Sequence, residues 1–162
     1  VFYLMANIEA SLMAGDNNWA LLLGMDGFIT EGTGDNFFII KDGVVITPEG
    51  RDVLRGVSRD YVMTDLCSAL GIPVIEKNIE PYDVYTADEA FITGTPFCML
   101  PVTSLNGLEI GDGKVGSIFS QIISQWSTIT GVDIIGQIQK WDSESSQSAN
   151  ADAPTPYRFT KK

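Results

Sequence analysis

The chain has 162 residues, 44% of them hydrophobic, which is enough for one domain with a core of its own. Ten Lys plus Arg against 21 Asp plus Glu leave a formal net charge of -11, which repels nucleic-acid backbones and anionic lipid, so neither nucleic acid nor membrane is expected as a partner. No histidine is present, which removes Ser-His-Asp and Cys-His catalysis and imidazole metal ligation, and no metal site is expected.

Cys67 and Cys98 form neither a C-x-x-C pair nor a disulfide framework, so a reducing cytoplasm is the expected compartment. From Val1 to Met13, Leu4, Ile8 and Leu12 recur every four positions beside Met5 and Met13, predicting an amphipathic helix closed by Gly15. The pattern is already helical at Val1 with no cap before it, so the expectation is a piece of a longer chain. Trp19 to Gly24, the Asp26-Gly27 turn pair and Phe28 to Thr30 predict a first hairpin. Asn36 to Lys41, Asp42-Gly43 and Val44 to Thr47 predict a second, stopped by Pro48.

Ser58 to Leu70 places Val62, Leu66 and Leu70 on one face and is closed by Gly71 and Pro73, predicting a helix. Strands are expected at Pro73 to Ile79, Glu89 to Thr93 and Met99 to Leu105, with Asn106-Gly107 as a turn and Gly111 to Gly116 as a glycine-rich loop. The last predicted helix starts near Ser117, carries Ile118, Ile122 and Trp126 on one face, and ends at Gly131. Beyond Asp142 the Ser, Asn, Ala and Pro content predicts a tail with too little apolar surface to fold alone. The expected layout is therefore a domain over residues 1–142 and a tail over 143–162, with an α/β fold class of mixed sheet and flanking helices.

Three loops hold glycine beside hydroxyl or carboxylate groups where a strand or turn ends. In Thr30-Glu31-Gly32-Thr33-Gly34-Asp35-Asn36 two glycines permit a tight turn and leave Glu31 at the end of an apolar strand. Glu31 is a candidate buried carboxylate, although a solvated turn residue satisfies the same pattern. In Leu54-Arg55-Gly56-Val57-Ser58-Arg59 the predicted helix begins, with Ser58 at the expected N-cap. Free N–H groups and a hydroxyl there suit a phosphate, and a plain Ser cap without ligand suits the residues equally. The third loop, Gly94-Thr95-Pro96, adds another hydroxyl at a strand end.

Taken together, these loops and the segments around them resemble one family in order and spacing. The matching stretches are Phe28 to Phe38, Lys41-Asp42-Gly43-Val44, Thr47-Pro48, Leu54 to Arg59, Ala87-Asp88-Glu89-Ala90-Phe91, Gly94-Thr95 and Pro101-Val102. The family is that of the branched-chain and D-amino-acid aminotransferases, fold-type IV enzymes of class IV that use pyridoxal 5′-phosphate. The resemblance spans roughly Tyr3 to Trp126 and implies the C-terminal, cofactor-binding domain of the D-amino-acid aminotransferase-like fold.

Residue by residue, the resemblance implies that Glu31 pairs with the cofactor's pyridine nitrogen. It implies that Gly56, Val57 and Ser58 cup the 5′-phosphate, with Thr95 as a second phosphate-side hydroxyl. Tyr3 matches a tyrosine bonded to the cofactor's phenolic oxygen, and Leu54 an apolar residue packed on its ring. Asn36 matches too and is read as structural, holding its turn. The family's Schiff-base lysine falls just upstream of Val1, so no catalytic residue is expected in this chain, and none of Lys41, Lys77, Lys114, Lys140, Lys161 or Lys162 takes its place. Pro96 stands where many branched-chain enzymes have alanine, and with Phe97 it is the candidate substrate-binding pair.

The activity that the resemblance implies is transamination between a hydrophobic amino acid or amine and a 2-oxo acid, by a cytoplasmic homodimer completed by an N-terminal domain. Two alternatives stay open: an aminodeoxychorismate lyase-type enzyme on the same cofactor, and a non-catalytic cofactor-binding fragment.

Overall fold

The computed structural model describes residues 2–148 apart from Asp16. The elements, in chain order, are helix α1 (Phe2–Ser11), strands β1 (Leu21–Leu23), β2 (Ile29–Gly32), β3 (Asn36–Lys41) and β4 (Val44–Thr47), and a helical segment made of α2 (Val57–Tyr61), a π-helical turn (Val62–Leu66) and α3 (Cys67–Leu70). Then come β5 (Val74–Glu76), α4 (Pro81–Tyr85), β6 (Glu89–Gly94), β7 (Cys98–Val102), the small hairpin β8 (Ser104–Leu105) and β9 (Leu108–Glu109), α5 (Ser117–Thr130) and α6 (Ile134–Ser148).

Strand β3 organises the seven-stranded sheet. Along one edge it pairs antiparallel with β6, from Asn36↔Thr93 to Ile40↔Glu89. The other edge meets β2 at Asn36↔Glu31 and β4 from Ile39↔Ile46 to Lys41↔Val44. β4 is extended by parallel β5, β6 by antiparallel β7, and β2 by β1. The second predicted hairpin turns where expected, with positive φ at both Asp42 (50°) and Gly43 (78°), the geometry that favours an Asp-Gly pair.

A strand reading Asn-Phe-Phe-Ile-Ile has no polar face to give to water, so both of its faces must be covered. Phe38 and Ile40 point into a core shared with Val62, Leu66, Cys67, Phe91, Phe119, Ile122 and Trp126 of the helical side. Here the Phe38 and Phe91 rings stack at 4.7 Å between centroids, 6° from parallel. Phe37 and Ile39 point the other way, into a core with Ile29, Ile46, Ile79, Val84, Ala90 and Ile92. By the same alternation Asn36 and Thr93 share the helix-covered face with Phe38 and Phe91, and stand at its polar end.

Two expectations are corrected. The helix predicted from Val1 and closed by Gly15 ends at Ser11, and none of its residues is buried, with Leu4, Ile8 and Leu12 exposed. Ser58 is not an N-cap; the cap position belongs to Gly56, in extended backbone, and Ser58 lies within the first turn. Helix α6 runs from Ile134 to Ser148; Asp133 accepts the Gly136 N–H at its start, and Ile134 and Ile138 pack into the helical-side core. The remainder of the predicted tail, 149–162, lies outside the described residues. Helix α4, five residues long and introduced by Glu80 and Pro81, was too short for periodicity to show.

The N-terminus of α5 is held from the sheet. Both carboxylate oxygens of Glu89, on β6, accept backbone N–H groups, from Ile118 and Phe119, each at 2.9 Å. A Cβ on the N-cap residue Gly116 would overlap that carboxylate. Glu89→Ala leaves both donors short of an acceptor and is expected to cost about 1–2 kcal/mol, the usual scale for a lost helix cap. Urea denaturation checks this against exposed Lys140→Ala; an equal, small loss in both would show that the cap contributes nothing.

Candidate functional site

A cleft of about 240 Å³ opens at the polar end of the helix-covered face. Its lining comes from four separate parts of the chain: Tyr3 on α1, the turn Glu31 to Asn36, the loop Leu54 to Ser58, and Thr93 to Thr95 at the end of β6. The residues expected to form a cofactor site, Tyr3, Glu31, Leu54, Gly56, Val57, Ser58 and Thr95, all lie on this lining. Pro96 and Phe97 do not. Pro96 is exposed just beyond Thr95, whereas the Phe97 ring lies against Gly94 and meets Trp19 edge-on at 5.5 Å.

Glu31 is buried, which decides between its two readings against a solvated turn residue. A buried carboxylate needs donors, and three surround it. The Tyr3 hydroxyl donates to Oε1 at 2.9 Å, while the Leu54 backbone N–H at 2.7 Å and Asn36 Nδ2 at 3.2 Å donate to Oε2. Leu54 therefore serves the carboxylate through its backbone, and its side chain stays exposed at the rim. The Tyr3 phenol, expected near a cofactor oxygen, here takes Glu31 as its acceptor. The hydrogen bond and charge of Glu31, with a smaller share from burial, raise the phenol above its ordinary 10.0.

At the other side of the cleft the helical segment begins. The N–H groups of its first turn have no acceptor within the helix and carry the positive end of its dipole. Gly56 stands at that entrance with φ -67°, so it is not glycine for the sake of a left-handed turn. The reason is space: a Cβ there would overlap Asn36 Oδ1. Arg59, buried in the same turn, donates through Nη2 to the Pro48 carbonyl at 2.8 Å and pairs with Glu76, which fixes the helix start to the ends of β4 and β5.

Thr93 and Asp35 are the lining residues that residue types alone did not single out. Both are buried, and Thr93 Oγ1 and Asp35 Oδ2 have no hydrogen-bond partner. Thr93 reaches the cleft only because β6 is registered against β3 with Thr93 opposite Asn36, a pairing that no local pattern encodes. Among the described residues no lysine lines the cleft, and no group of carboxylates or thiols is arranged to hold a metal.

The Asp35 carboxyl is pushed up to about 6, chiefly by burial and further by the charge of Glu31, against a downward pull from the Gly34 backbone N–H. Its unperturbed value is 3.8, so between those two values the folded chain keeps a proton that the unfolded chain has released. Stability must then fall as pH rises through that window, by an amount on the order of 1–3 kcal/mol. Asp35→Asn should flatten this slope and leave the chain more stable at neutral pH. Denaturation midpoints at pH 4.5 and 7, compared between the two proteins, check it.

Comparison with known proteins supplies the context for this geometry. The family model described as amino-transferase class IV matches residues 1–105. The branched-chain-amino-acid aminotransferase of Pseudomonas aeruginosa is 39% identical over 110 residues, 68% of this chain and 36% of that protein. That of Escherichia coli K12 is 38% identical over 103 residues, 63% of this chain and 33% of that protein. Among solved structures, the T.th. branched-chain amino acid aminotransferase with pyridoxamine 5′-phosphate superposes with a TM-score of 0.73 at 32% identity, over 81% of this chain and 43% of its own. The enzyme of Thermoproteus uzoniensis with norvaline gives 0.72 at 33% identity, over 81% and 43%. The chain thus spans less than half of each relative, and residues 1–105, which the family model matches, include every wall of the cleft. By sequence along most of its length and by its mixed-sheet α/β fold, this chain belongs to the class IV aminotransferases.

Proposed function

We propose that this chain forms the cofactor-holding part of a pyridoxal 5′-phosphate-dependent aminotransferase acting on hydrophobic, branched-chain-like amino acids. The observation that carries the reading is the pairing, in one cleft, of a buried, hydrogen-bonded carboxylate with a helix N-terminus. A planar ligand with a basic ring nitrogen at one end and a phosphate at the other meets a complementary charge at each.

The fit extends to the wall atoms. Gly32, Gly34 and Gly56 line the cleft with backbone alone, and the unpartnered Thr93 hydroxyl is a polar group in its wall. When bound, pyridoxal 5′-phosphate supplies the electron sink that lets an amino group leave an α-carbon and pass to a 2-oxo acid. The protein's part is to hold and orient. Glu31 keeps a proton at the ring nitrogen, Gly56 and Val57 offer backbone to the phosphate, and Ser58 and Thr95 donate hydroxyls to it. Leu54 would pack on the ring, and Tyr3, which bonds Glu31 in the structure, would donate to the ring's phenolic oxygen.

Among the described residues Lys41, Lys77, Lys114 and Lys140 all lie away from the cleft, and the proposal takes the lysine amine that the chemistry requires from polypeptide beyond this chain. An N-terminal domain and a homodimeric assembly belong to the same proposal. A cytoplasmic setting is proposed as well; no helix among the described residues is long and apolar enough to cross a membrane.

Pyridoxamine 5′-phosphate needs no lysine to bind, so it tests the reading on this chain directly. Calorimetric titration should show one site per chain. Glu31→Gln and Gly56→Val should each weaken it by about tenfold or more, the scale of one charge-assisted hydrogen bond lost or one wall displaced. Absence of binding by the unaltered chain would defeat the proposal.

Pro96 bears on substrate choice. It has no N–H, so a carboxylate resting at the Gly94-Thr95-Pro96 turn loses one donor there. In the complete enzyme, Pro96→Ala is expected to lower KM for leucine while leaving kcat for an amine of similar bulk unchanged; steady-state kinetics with both substrates decide the matter.

A further inference from the structure

Asn36 stands between the two sides of the cleft and is bonded to both. It sits at the first position of β3, opposite Glu31 of β2 on one edge and Thr93 of β6 on the other. Its side chain is buried, and its amide is saturated by two acceptors: Nδ2 donates to Glu31 Oε2 at 3.2 Å and to the Leu54 carbonyl at 2.8 Å. The Leu54 N–H returns to the same Glu31 oxygen at 2.7 Å. The carbonyl end, Oδ1, lies against the Cα of Gly56, where no other residue type leaves room for it. One carboxamide is thus bonded to the carboxylate, bonded to the loop that leads into the phosphate cup, and in contact with the cup's first residue.

We propose that Asn36 is a positioning residue that fixes the distance between the Glu31 carboxylate and the Leu54 to Ser58 cup, so that both ends of one ligand are held at once. This deepens the aminotransferase reading and rests on it. Two weak subsites joined rigidly at the correct spacing bind a two-ended ligand far more tightly than either half, because the second contact becomes intramolecular. Without the strut each subsite survives, but their separation is no longer set.

The experiment compares three probes on the full chain: pyridoxamine 5′-phosphate, which engages both ends, and inorganic phosphate and pyridoxamine, which engage one each. In Asn36→Ala, affinity for pyridoxamine 5′-phosphate is expected to fall about tenfold or more. Affinity for inorganic phosphate should stay within about twofold, the range of a change that leaves a subsite intact. Parallel loss of both would show that Asn36 only builds the cup, and an unchanged affinity for pyridoxamine 5′-phosphate would show that the strut is idle; either result overturns the proposal.

Asn36→Asp supplies an independent readout with nearly the same shape. It sets a second carboxylate beside Glu31, whose other oxygen accepts from Tyr3, with the buried Asp35 next to it in sequence, and removes both amide donors. Adjacent carboxylates share a proton as pH falls, and the shared proton restores a donor. Binding of pyridoxamine 5′-phosphate by Asn36→Asp, taken relative to the unaltered chain at each pH, should therefore recover between pH 8 and 5. A flat ratio would contradict the strut. Failure of the unaltered chain to bind pyridoxamine 5′-phosphate would remove the aminotransferase reading itself, whereas the variant patterns judge Asn36 alone.

Discussion

A carboxylate taken out of water must be given hydrogen-bond donors, and at Glu31 those donors arrive from three places in the chain. Tyr3 comes from the first helix, Asn36 from the neighbouring strand and the Leu54 N–H from the loop that follows the second hairpin. Because an unpaired buried charge costs several kcal/mol, these segments are tied to one point. The loop that begins at Leu54 then delivers the start of α2 a fixed distance away. Cleft geometry is in this sense set by the solvation needs of a single side chain.

The sheet makes that arrangement rigid. Strand β3 is paired on both edges and buried on both faces, so its first residue, Asn36, has little freedom. Aromatic stacking of Phe38 on Phe91 fixes β6 against β3 directly beneath the cleft, and Glu89 at the far end of β6 anchors α5. By contrast α1 is held by polar contacts, Tyr3 to Glu31 and Asn7 Oδ1 accepting from the Thr33 hydroxyl at 2.7 Å. Its apolar stripe stays in solvent within this chain.

Strands β3 and β4 and helix α5 were readable from the sequence almost to the residue, because each is governed by local rules: an unbroken apolar run, an Asp-Gly pair, a helical stripe ended by glycine. The three glycine-bearing loops were likewise legible as candidates, and the structure gathers them on one lining. What residue types could not show is set by tertiary contact. Ser58 has the chemistry of a cap, yet the backbone turns two residues earlier at Gly56, where Asn36 leaves no room for a side chain. Thr93 and Asp35 enter the cleft through strand register and a tight turn. Asn36 looked like a residue serving its own turn, since its second acceptor, the Leu54 carbonyl, is distant in sequence and close only in the fold.

The β3–β6 register joins Asn36 to Thr93, and the cleft floor therefore exists only after a long stretch of chain has closed on itself. Such closures lose chain entropy before their contacts form. A ligand that recognises this floor meets the finished fold and nothing earlier, so its free concentration enters the folding equilibrium by mass action. At a hundredfold excess over Kd the shift is about 2.7 kcal/mol, a large share of the margin by which an ordinary domain stays folded. In a cell the abundance of this protein would then follow the supply of the small molecule it holds, with proteolysis removing whatever remains empty.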